Sequence, residues 1–581
     1  MHTQFGRYWR LLVTYLKPRW PSVALLTLLL MSNIALQLIN PQVIRRFIDS
    51  AQAASPLSVL LLAAGLFIAI AFIQRAVAFS STYTAENLGW TATNALRADL
   101  ALHCLRLDMS FHKTYTPGEL IERIDSDVTT LANLFSQFVI QVLGNALLIV
   151  GVLLLLWRED WRAGIALTFY SILTFVILRL LQNVAVKQWA SERQANAGFY
   201  SFLEEHLTGM EDIRAAGAES YVTRLLFSFL RRLLETHRRA RLVSNLTFFS
   251  TNFLYVIGYT VGLAMGAYLY LQHQITIGTA YLFVYYIGML STPLQTIKEQ
   301  VEDLQKASAS VERVEELFHT QSRLQEQALT TLPDNAPAVA FRSVTFSYDG
   351  QENVLHDISF QLQPGKVLGL LGRTGSGKTT IARLLFRLYD PAAGAIYLDG
   401  KELRTVALED LRSHVGMVTQ DVQLFHASIR DNLTFFNRRI GDERIEQALK
   451  ELHLWQWLQA LPQGLDTQLG AGGHGLSAGE AQLLAFARVF LKHPGLVILD
   501  EASSRLDPAT EQLLERGIDR LLAERTGIVI AHRLQTVRRA DDIMILDNGH
   551  VIEYGPRTVL ANDPNSHFYR LLQTGLEEVL A

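Results

Sequence analysis

The sequence predicts a membrane α-helical bundle of six spans followed by an α/β domain. Three observations predict this fold class: the composition is apolar, the first half carries six long apolar segments, and the second half alternates short β-rich runs with helical patterns. Hydrophobic residues make up 49% of the 581 residues, charged residues make up 18%, and the mean hydropathy is +0.17. These values are typical of a chain that lies partly in lipid and partly in water.

Charge and cysteine content exclude two kinds of site. The formal net charge is −3, which carries no signal for a polyanionic partner, so nucleic acid is not a predicted partner. Cys104 is the single cysteine, which excludes an intrachain disulfide framework and a cysteine-rich metal site.

Six apolar segments in the first half predict membrane spans, because about 20 apolar residues cross the hydrocarbon core of a bilayer. The sixth is short, but its helical pattern continues beyond the apolar run to about Phe318. The predicted spans are residues 23–42, 57–77, 134–157, 161–181, 242–271 and 279–294.

The distribution of arginine and lysine predicts the orientation of these spans. Basic residues are concentrated before the first span, between the second and third, and between the fourth and fifth, whereas the opposite loops are short and carry few. The excess of positive charge on the cytoplasmic side therefore places both termini and the α/β domain in the cytoplasm. The expected location is the bacterial inner (plasma) membrane.

The N-terminal segment is expected to be a short helix in the membrane interface. Residues 5–16 mix aromatic and aliphatic side chains with Arg7 and Arg10, a composition typical of interfacial helices. A solvated basic lead-in is the alternative. The apolar run from Val23 onwards is too long for the core of a cleavable signal.

Composition and helical periodicity predict the domain organisation. Apolar residues recur at helical spacing in the long connections between spans, which predicts that the spanning helices extend into the cytoplasm. A polar stretch with Pro333 and Pro337 separates the two halves. We therefore expect a transmembrane domain over residues 1–324, a linker over 325–336 and an α/β domain over 337–581, whose motifs show what it binds.

A phosphate-binding loop lies between a predicted strand, residues 367–371, and a predicted helix, residues 380–388. The spacing matches the G-x-x-x-x-G-K-[ST] pattern in the context that the pattern requires. Its glycines let backbone N–H groups converge on phosphates at a helix N-terminus, Lys378 is suited to the β- and γ-phosphates, and Thr379 to Mg²⁺. The loop residues are Gly372, Arg373, Thr374, Gly375, Ser376, Gly377, Lys378 and Thr379, followed by Thr380.

Two carboxylates follow a second buried strand, residues 496–499. Paired acids at such a strand end are costly unless they handle a cation or a proton. Asp500 is suited to the Mg²⁺ ligand shell, and Glu501 to activating the attacking water. The two motifs together predict a P-loop NTPase that uses ATP and Mg²⁺.

Further motifs resemble those of ATP-binding-cassette (ABC) proteins. The segment Leu476-Ser477-Ala478-Gly479-Glu480 resembles the signature sequence of that family and precedes the Asp500 strand. The other matching positions occur in the family's order: Tyr348, Gln420, the turn at residues 504–507, and His532.

With six spans ahead of the cassette, the whole chain resembles a half-size ABC exporter. The resemblance implies a dimer in which each ATP lies between one chain's phosphate loop and the partner's signature. It also implies that Tyr348 stacks on adenine, that Gln420 senses Mg²⁺, that His532 contacts the γ-phosphate, and that Ser477 and Gly479 bind the partner's ATP. A second half-transporter, the bilayer and a transported substrate are thus the expected partners.

Three departures from the family pattern stand out. The signature has Ala478 and Glu480 where glycine and glutamine are usual, Ala471 replaces a usual glutamate, and Arg505 replaces a usual alanine. We expect the Ala478 Cβ and the Glu480 charge to weaken ATP binding at the site that this signature completes. With an intact Glu501 beside an altered signature, the chain resembles one half of an asymmetric heterodimeric exporter, in which the chain with the catalytic glutamate often carries the weaker signature. This resemblance favours a heterodimer over a homodimer.

ATP-driven export by alternating access is the leading function. A non-transporting regulator or channel on the same scaffold is the alternative, against which Glu501 and His532 argue; a fused uptake transporter is another. Polar residues in the spans either line a cavity or bond helices together: Asn33, Gln37, Asn145, Asn252 and Tyr286. The substrate class stays open between lipid, drug-like amphiphile, peptide and metabolite.

Overall fold

The computed structural model describes residues 13–324, 330–420, 422–470, 476–500, 508–531 and 537–574. Its internal contacts divide the chain into two compact units. One comprises Met1–Leu105 with Pro117–Thr320, and the other comprises Arg106–Thr116 with Gln321–Ala581. The second unit therefore includes a short segment that comes from between two membrane helices.

Long helices make up the first unit. Six of the described helical segments are long and apolar enough to cross a membrane, as predicted. The longest of them exceed the thickness of a bilayer core, since 50 helical residues extend about 75 Å. In chain order the helices up to His319 are α1 (Trp20–Gln52), α2 (Leu57–Arg106), α3 (Met109–Thr114), α4 (Pro117–Ile121), α5 (Val128–Gln137), α6 (Asn145–Glu159), α7 (Trp161–Thr208), α8 (Met210–Ala215), α9 (Glu219–Leu271) and α10 (Ile277–His319). Of these, α3 belongs to the second unit.

The third predicted span, residues 134–157, is not one regular helix. It comprises the end of α5, a π-helical stretch over Phe138–Gly144, and α6. A second π-helical stretch, Glu122–Asp127, connects α4 to α5. Wide turns of this kind occur inside helices at functional positions, and no sequence pattern indicated either of them.

Small residues let α9 pack closely against its neighbours. Gly258, Gly262 and Gly266 are all buried on one face of α9. A Cβ on Gly262 would lie 2.0 Å from the Ile287 side chain, and one on Gly266 would lie 3.3 Å from the Ala280 Cβ. Close approach through glycines is a common way to pack helices in lipid, where apolar burial alone gives little driving force.

An ionic cluster joins one end of α1 to α6 and α10. Arg45 pairs with Glu159 at 2.6 Å, while Asp49 accepts hydrogen bonds from the Gly278 N–H at 2.9 Å and from the Thr276 hydroxyl at 3.0 Å. Gly278 has no room for a side chain, because a Cβ would lie 2.6 Å from both the Arg45 carbonyl and the Asp49 carboxylate. The cluster therefore fixes α1 against the start of α10.

A second ionic cluster lies towards the other end of α10. Asp127 is 3% exposed, and its carboxylate accepts hydrogen bonds from the Ser310 hydroxyl at 2.8 Å and from the Arg313 guanidinium at both oxygens. Arg123 pairs with Glu316 on the next turn of α10. A buried carboxylate is tolerated here because a charged partner and a hydroxyl satisfy it.

The second unit is an α/β domain with two sheets. The larger sheet has the order β10-β9-β3-β8-β7-β6, and all its strand pairs are parallel except β10 with β9. The predicted parallel core is thus confirmed. Its strands are β3 (Val367–Gly372), β6 (Val415–Val418), β7 (Leu496–Asp500), β8 (Thr526–Ile530), β9 (Asp542–Asp547) and β10 (His550–Pro556).

The smaller sheet is antiparallel with the order β2-β1-β4-β5, and the sequence analysis did not predict it. Its strands are β1 (Val339–Phe346), β2 (Leu355–Leu362), β4 (Ala393–Leu398) and β5 (Lys401–Glu402). The helices of this unit are α11 (Lys378–Leu385), α12 (Leu408–His414), α13 (Ile429–Thr434), α14 (Asp442–Glu451), α15 (Trp455–Gln459), α16 (Ala478–Lys492), α17 (Pro508–Leu522), α18 (Arg557–Leu560) and α19 (His567–Thr574).

Two apolar cores cover the two faces of the parallel sheet. Alternate residues of β7 divide between them: Ile498 packs with the small sheet, whereas Val497 and Leu499 pack with the helices around α16. Burial on both faces explains why these strands are continuous apolar runs rather than alternating ones.

Within the second unit, Asp108 binds the segment around α3 to the residues that follow α10. One carboxylate oxygen accepts the Ser110 N–H at 2.8 Å and caps α3. The other accepts the Ser322 hydroxyl at 3.1 Å and the Arg323 N–H. Burial by itself raises the pKa of Asp108, but the four donors to its two oxygens outweigh that effect and hold the pKa below its ordinary value.

Candidate functional site

The carboxyl ends of four neighbouring strands bring the predicted catalytic segments to one edge of the parallel sheet. Leu370 on β3, Ile530 on β8 and Asp500 on β7 lie in register. Strands are about 4.8 Å apart, so Asp500 lies about 10 Å across the sheet from β3. Parallel α/β sheets bind ligands at this edge.

The phosphate loop connects β3 to α11 through three glycines with positive φ. Gly372, Gly375 and Gly377 have φ values of 147°, 85° and 104°, a region that side chains disfavour. A Cβ on Gly372 would lie 2.2 Å from the Leu546 carbonyl oxygen, whereas a Cβ on Gly375 would have no neighbouring atom of the described residues within 4 Å. The helix begins at Lys378 and ends at Leu385, so the expected helix over residues 380–388 was placed too far along the chain.

Two buried polar groups of the loop are suited to a phosphate. Lys378 is 6% exposed, and its Nζ donates to the carbonyls of Gly372 at 2.6 Å and Arg373 at 2.9 Å. The Ser376 hydroxyl is buried and has no hydrogen-bond partner among the residues that the structure describes. A buried polar atom without a partner is costly, and an incoming phosphate oxygen would satisfy it. Arg373, Thr374 and Gly375 are exposed.

The predicted metal ligands follow the strand ends in the same way. Asp500 ends β7 and is 6% exposed, while Thr379 is half-buried in the first turn of α11. Gln420 lies two residues beyond β6, the strand next to β7, and is exposed. Hydroxyl, carboxylate and amide oxygens are the ligands that Mg²⁺ prefers.

The predicted catalytic Glu501 and His532 lie outside the described residues, as do the departures at Ala471 and Arg505. The structure describes the chain up to the residue before Glu501 and before His532, namely Asp500 on β7 and Ala531 beyond β8. The Ala531 N–H donates to the Leu370 carbonyl at 3.1 Å. The roles of these site residues therefore stay predictions.

Tyr348, the predicted adenine contact, follows β1 and faces the phosphate-loop helix. Its hydroxyl hydrogen-bonds Thr380 at 3.1 Å and accepts from Arg383 at 3.1 Å. The Lys113 ammonium lies 4.1 Å from the centre of the Tyr348 ring, close enough for a cation–π interaction. The sequence analysis missed Lys113, because the residue comes from the segment between two spans, 235 positions ahead of Tyr348.

The signature segment opens α16. Ser477 is the N-cap of this helix, with its hydroxyl accepting the Glu480 N–H at 3.3 Å. The Glu480 carboxylate in turn accepts the Ser477 N–H at 2.7 Å and the Ser477 hydroxyl at 2.9 Å. Its other oxygen accepts the Trp457 indole N–H at 2.7 Å. Ser477 and Ala478 are exposed, and Gly479 is buried.

Comparison with protein-family models decides the family. The model of the ABC transporter transmembrane region matches residues 23–294, and the ABC transporter model matches residues 355–504. The relative YfiC, an ABC transporter ATP-binding protein of Bacillus subtilis, is 30% identical over 545 residues, which are 93% of this chain and 90% of YfiC. The chain belongs to the ABC transporter family. It is of the half-size exporter type, in which one membrane domain is fused to one cassette.

Two further proteins support that assignment. The ATP-dependent lipid A-core flippase of Pseudomonas fluorescens is 30% identical over 521 residues, covering 88% of this chain and 85% of the flippase. The solved structure of a bacterial Atm1-family ABC exporter with ATP bound matches with a TM-score of 0.81 at 25% identity, over 95% of this chain and 99% of that one. The ABC transporter described here is therefore an integral membrane protein with an ATP-binding cassette.

Arg488 joins the signature helix of this transporter to the loop after β6. Its guanidinium donates to the Gln423 carbonyl at 2.9 Å and to the Asn432 carbonyl and side chain at 2.7 and 3.0 Å. Burial lowers the pKa of Arg488 to about 10. Asn432 is fully buried, and its side chain bonds the Phe425 N–H and carbonyl. This connection between the loop after β6 and the signature helix was missed, because neither Arg488 nor Asn432 belongs to a sequence motif.

Proposed function

We propose that this ABC transporter couples ATP hydrolysis to the export of a substrate by alternating access, as one half of a dimer in the bacterial plasma membrane. One observation carries the proposal. The phosphate loop, Asp500 and the segments that lead to Glu501, Gln420 and His532 all leave the same edge of one sheet, in a chain that also carries six candidate spans.

The phosphate loop binds the nucleotide. Backbone N–H groups at the start of α11 converge on the phosphates, and Lys378 leaves the carbonyls of Gly372 and Arg373 to bind the β- and γ-phosphates. The buried Ser376 hydroxyl gains a phosphate oxygen as its partner. Tyr348 stacks on adenine, and Lys113 over its ring makes the base contact sensitive to the segment around α3.

Thr379, Asp500 and Gln420 are the residues that would hold Mg²⁺. The ion would supply positive charge against the charge that develops on the phosphates during hydrolysis. Glu501 polarises the attacking water as general base, and His532 contacts the γ-phosphate.

A second half-transporter completes each site. Ser477 is exposed at the N-terminus of a 15-residue helix, where the helix dipole and free N–H groups favour the partner chain's γ-phosphate. ATP binding closes the two cassettes, hydrolysis reopens them, and the helix bundles alternate between inward- and outward-open states. The flippase relative makes amphiphilic lipids the first substrate class to test.

ATP hydrolysis by the full-length transporter in lipid nanodiscs tests the proposal. Glu501→Gln is expected to lower kcat by about 10²- to 10⁴-fold, the range of a lost general base, while ATP stays bound. Lys378→Ala is expected to abolish ATP binding. Glu446→Gln and Lys450→Ala are matched controls, because these residues form an exposed pair on α14, and both should leave hydrolysis unchanged. Wild-type hydrolysis that persists in both site variants would refute the proposed site.

Transport separates export from the rival functions. The transporter in proteoliposomes, with the cassettes facing outwards, is expected to accumulate or flip a lipidic substrate only with hydrolysable ATP. Hydrolysis without any transport over a panel of lipids, amphiphiles and peptides would favour the regulator. Transport in the opposite direction would favour an uptake system.

A further inference from the structure

Glu480 hydrogen-bonds the very hydroxyl that the proposed function assigns to the partner chain's ATP. The Ser477 Oγ–H donates to the Glu480 Oε2 at 2.9 Å. The same carboxylate oxygen accepts the Ser477 N–H at 2.7 Å. Ser477 itself is exposed, so an approaching ligand can reach the hydroxyl while its proton is engaged by Glu480.

The Ser477 hydroxyl cannot donate to Glu480 and to a phosphate oxygen at the same time. A serine hydroxyl has one proton, and an ionised carboxylate and a phosphate oxygen both only accept. While the Ser477 proton points at Glu480, none remains for a phosphate oxygen. Bonds to an ionised acceptor are about twice as strong as neutral ones, so the carboxylate holds this proton more firmly than the amide of a glutamine would.

Trp457 anchors the carboxylate in this position. The indole N–H of Trp457 on α15 donates to the Glu480 Oε1 at 2.7 Å, and the indole can only donate. Trp457 also packs against the apolar core around α16. Both carboxylate oxygens of Glu480 therefore accept hydrogen bonds from groups of the cassette itself. The sequence analysis expected the Glu480 charge to weaken ATP binding, and here that charge is held by the Trp457 and Ser477 donors.

We propose that Glu480, anchored by Trp457, is a positioning residue that withholds the Ser477 hydroxyl from the γ-phosphate of the partner chain's ATP. Closure of the site that this signature completes requires the Glu480–Ser477 hydroxyl bond to break. The proposal rests on the proposed function, in which Ser477 contacts that ATP. As a consequence, this site needs a higher ATP concentration to close. The cause is a hydrogen bond within the chain, and no ATP-binding residue has been lost.

A purely structural role for Glu480 makes a different prediction. Serine at the N-cap with glutamate three residues later forms a reciprocal capping box, which stabilises a helix N-terminus, and glutamine also forms one. The Trp457 indole N–H and the Ser477 N–H each need an acceptor, and glutamine has one acceptor oxygen. Glu480→Gln therefore weakens the cap in part and removes the charge, whereas Glu480→Ala removes the cap and the charge. The two variants separate helix stability from the hold on Ser477.

The transporter is purified in lipid nanodiscs by a tag on this chain, so that a separate second half-transporter comes with it. Hydrolysis is measured against ATP concentration for wild type, Glu480→Gln, Glu480→Ala and Ser477→Ala, with a thermal melt of each. We expect Glu480→Gln to lower KM for ATP about fivefold, which corresponds to about 1 kcal/mol at 1.4 kcal/mol per tenfold. The value of kcat should stay unchanged, and the Tm should fall less in Glu480→Gln than in Glu480→Ala.

Ser477→Ala distinguishes failure of this proposal from failure of the proposed function. A raised KM in Ser477→Ala together with an unchanged KM in Glu480→Gln would overturn the role of Glu480 alone. Hydrolysis that does not depend on Ser477 would overturn the assignment of the signature and the role of Glu480 with it. A KM that rises as the Tm falls, in Glu480→Gln as in Glu480→Ala, would show that Glu480 acts only as a helix cap.

Discussion

At the residue scale, the phosphate loop depends on backbone conformations that only glycine adopts without strain. Gly372 has a φ of 147°, and a Cβ added at this position would lie 2.2 Å from the Leu546 carbonyl oxygen. Gly375 has a φ of 85° with nothing within 4 Å of a Cβ. Substituting alanine at Gly375 therefore adds backbone strain alone, whereas substituting alanine at Gly372 adds backbone strain and a steric clash.

Gly372→Ala is expected to destabilise the cassette more than Gly375→Ala does. Backbone strain costs about 1–3 kcal/mol at either position, and the clash adds to it at Gly372 only. Thermal melts of the full-length chain measure the difference, with Gly118→Ala as a control, because a Cβ on Gly118 meets nothing and its φ is not positive. Equal melting temperatures for the two loop variants would contradict the geometry described for Gly372.

At the element scale, a short segment between two membrane helices folds with the cassette unit. Asp108 caps α3 with one oxygen and bonds residues 322 and 323 with the other, and Lys113 of the same helix lies over Tyr348. A helix of six residues has little stability of its own. Its position therefore depends on Asp108, and through Lys113 it is tied to the predicted adenine site.

Asp108→Asn is expected to loosen this segment and to remove an acid-dependent contribution to stability. The pKa of Asp108 lies below its ordinary value in the folded chain, so the unfolded chain binds the proton more tightly. The stabilisation is then complete above the ordinary carboxyl pKa of about 4 and is lost as the pH falls through the lower folded value. The lost hydrogen bonds cost about 1–3 kcal/mol at pH 7.

Limited trypsin digestion at Lys113 and thermal melts at pH 7 and pH 3.5 measure these effects. Asp108→Asn should speed cleavage at Lys113 and reduce the difference between the two melts. Asp125→Asn is the control, because its exposed side chain pairs with Arg97 and exposed pairs contribute little. Cleavage as slow as in wild type would mean that Asp108 does not hold the segment.

At the scale of the whole molecule, the cassette combines intact nucleotide-binding groups with an altered signature. Lys378, Ser376 and Asp500 are buried at the sheet edge, while Ser477 of the exposed signature is bonded to Glu480. The groups that would bind this chain's own ATP are therefore in place at the sheet edge, whereas the Ser477 hydroxyl, which would bind the partner's ATP, is already hydrogen-bonded within the chain. Such an asymmetry suits a dimer of two different chains.

Expression of the tagged chain in its native host is expected to co-purify a second half-transporter in equal amount. The reason is that a partner with a complementary signature completes the site of Glu501, whereas a second copy offers the restrained Ser477 instead. Mass determination of the intact complex measures the composition. A stable dimer of this chain alone, with full hydrolysis stimulated by substrate, would show that the transporter is a homodimer.

Local patterns were enough to predict most of the fold. Span lengths predicted six membrane helices, and apolar runs predicted strands β3 and β7 within about one residue, because strands buried on both faces need continuous apolar sequence. The antiparallel sheet was missed, since its half-exposed strands carry a weaker pattern. The π-helical stretches were missed because no residue type specifies them.

The sequence by itself determined the family and the chemistry of the phosphate site, because a loop that wraps a phosphate needs glycines, a lysine and a threonine at fixed spacing. Only the tertiary structure decided which residues distant in sequence contact the predicted site residues. It placed Lys113 over Tyr348, and it gave Glu480 three donors where the sequence suggested a free charge. Both depend on side chains that meet through packing, and the spacing of residues along a chain does not specify such contacts.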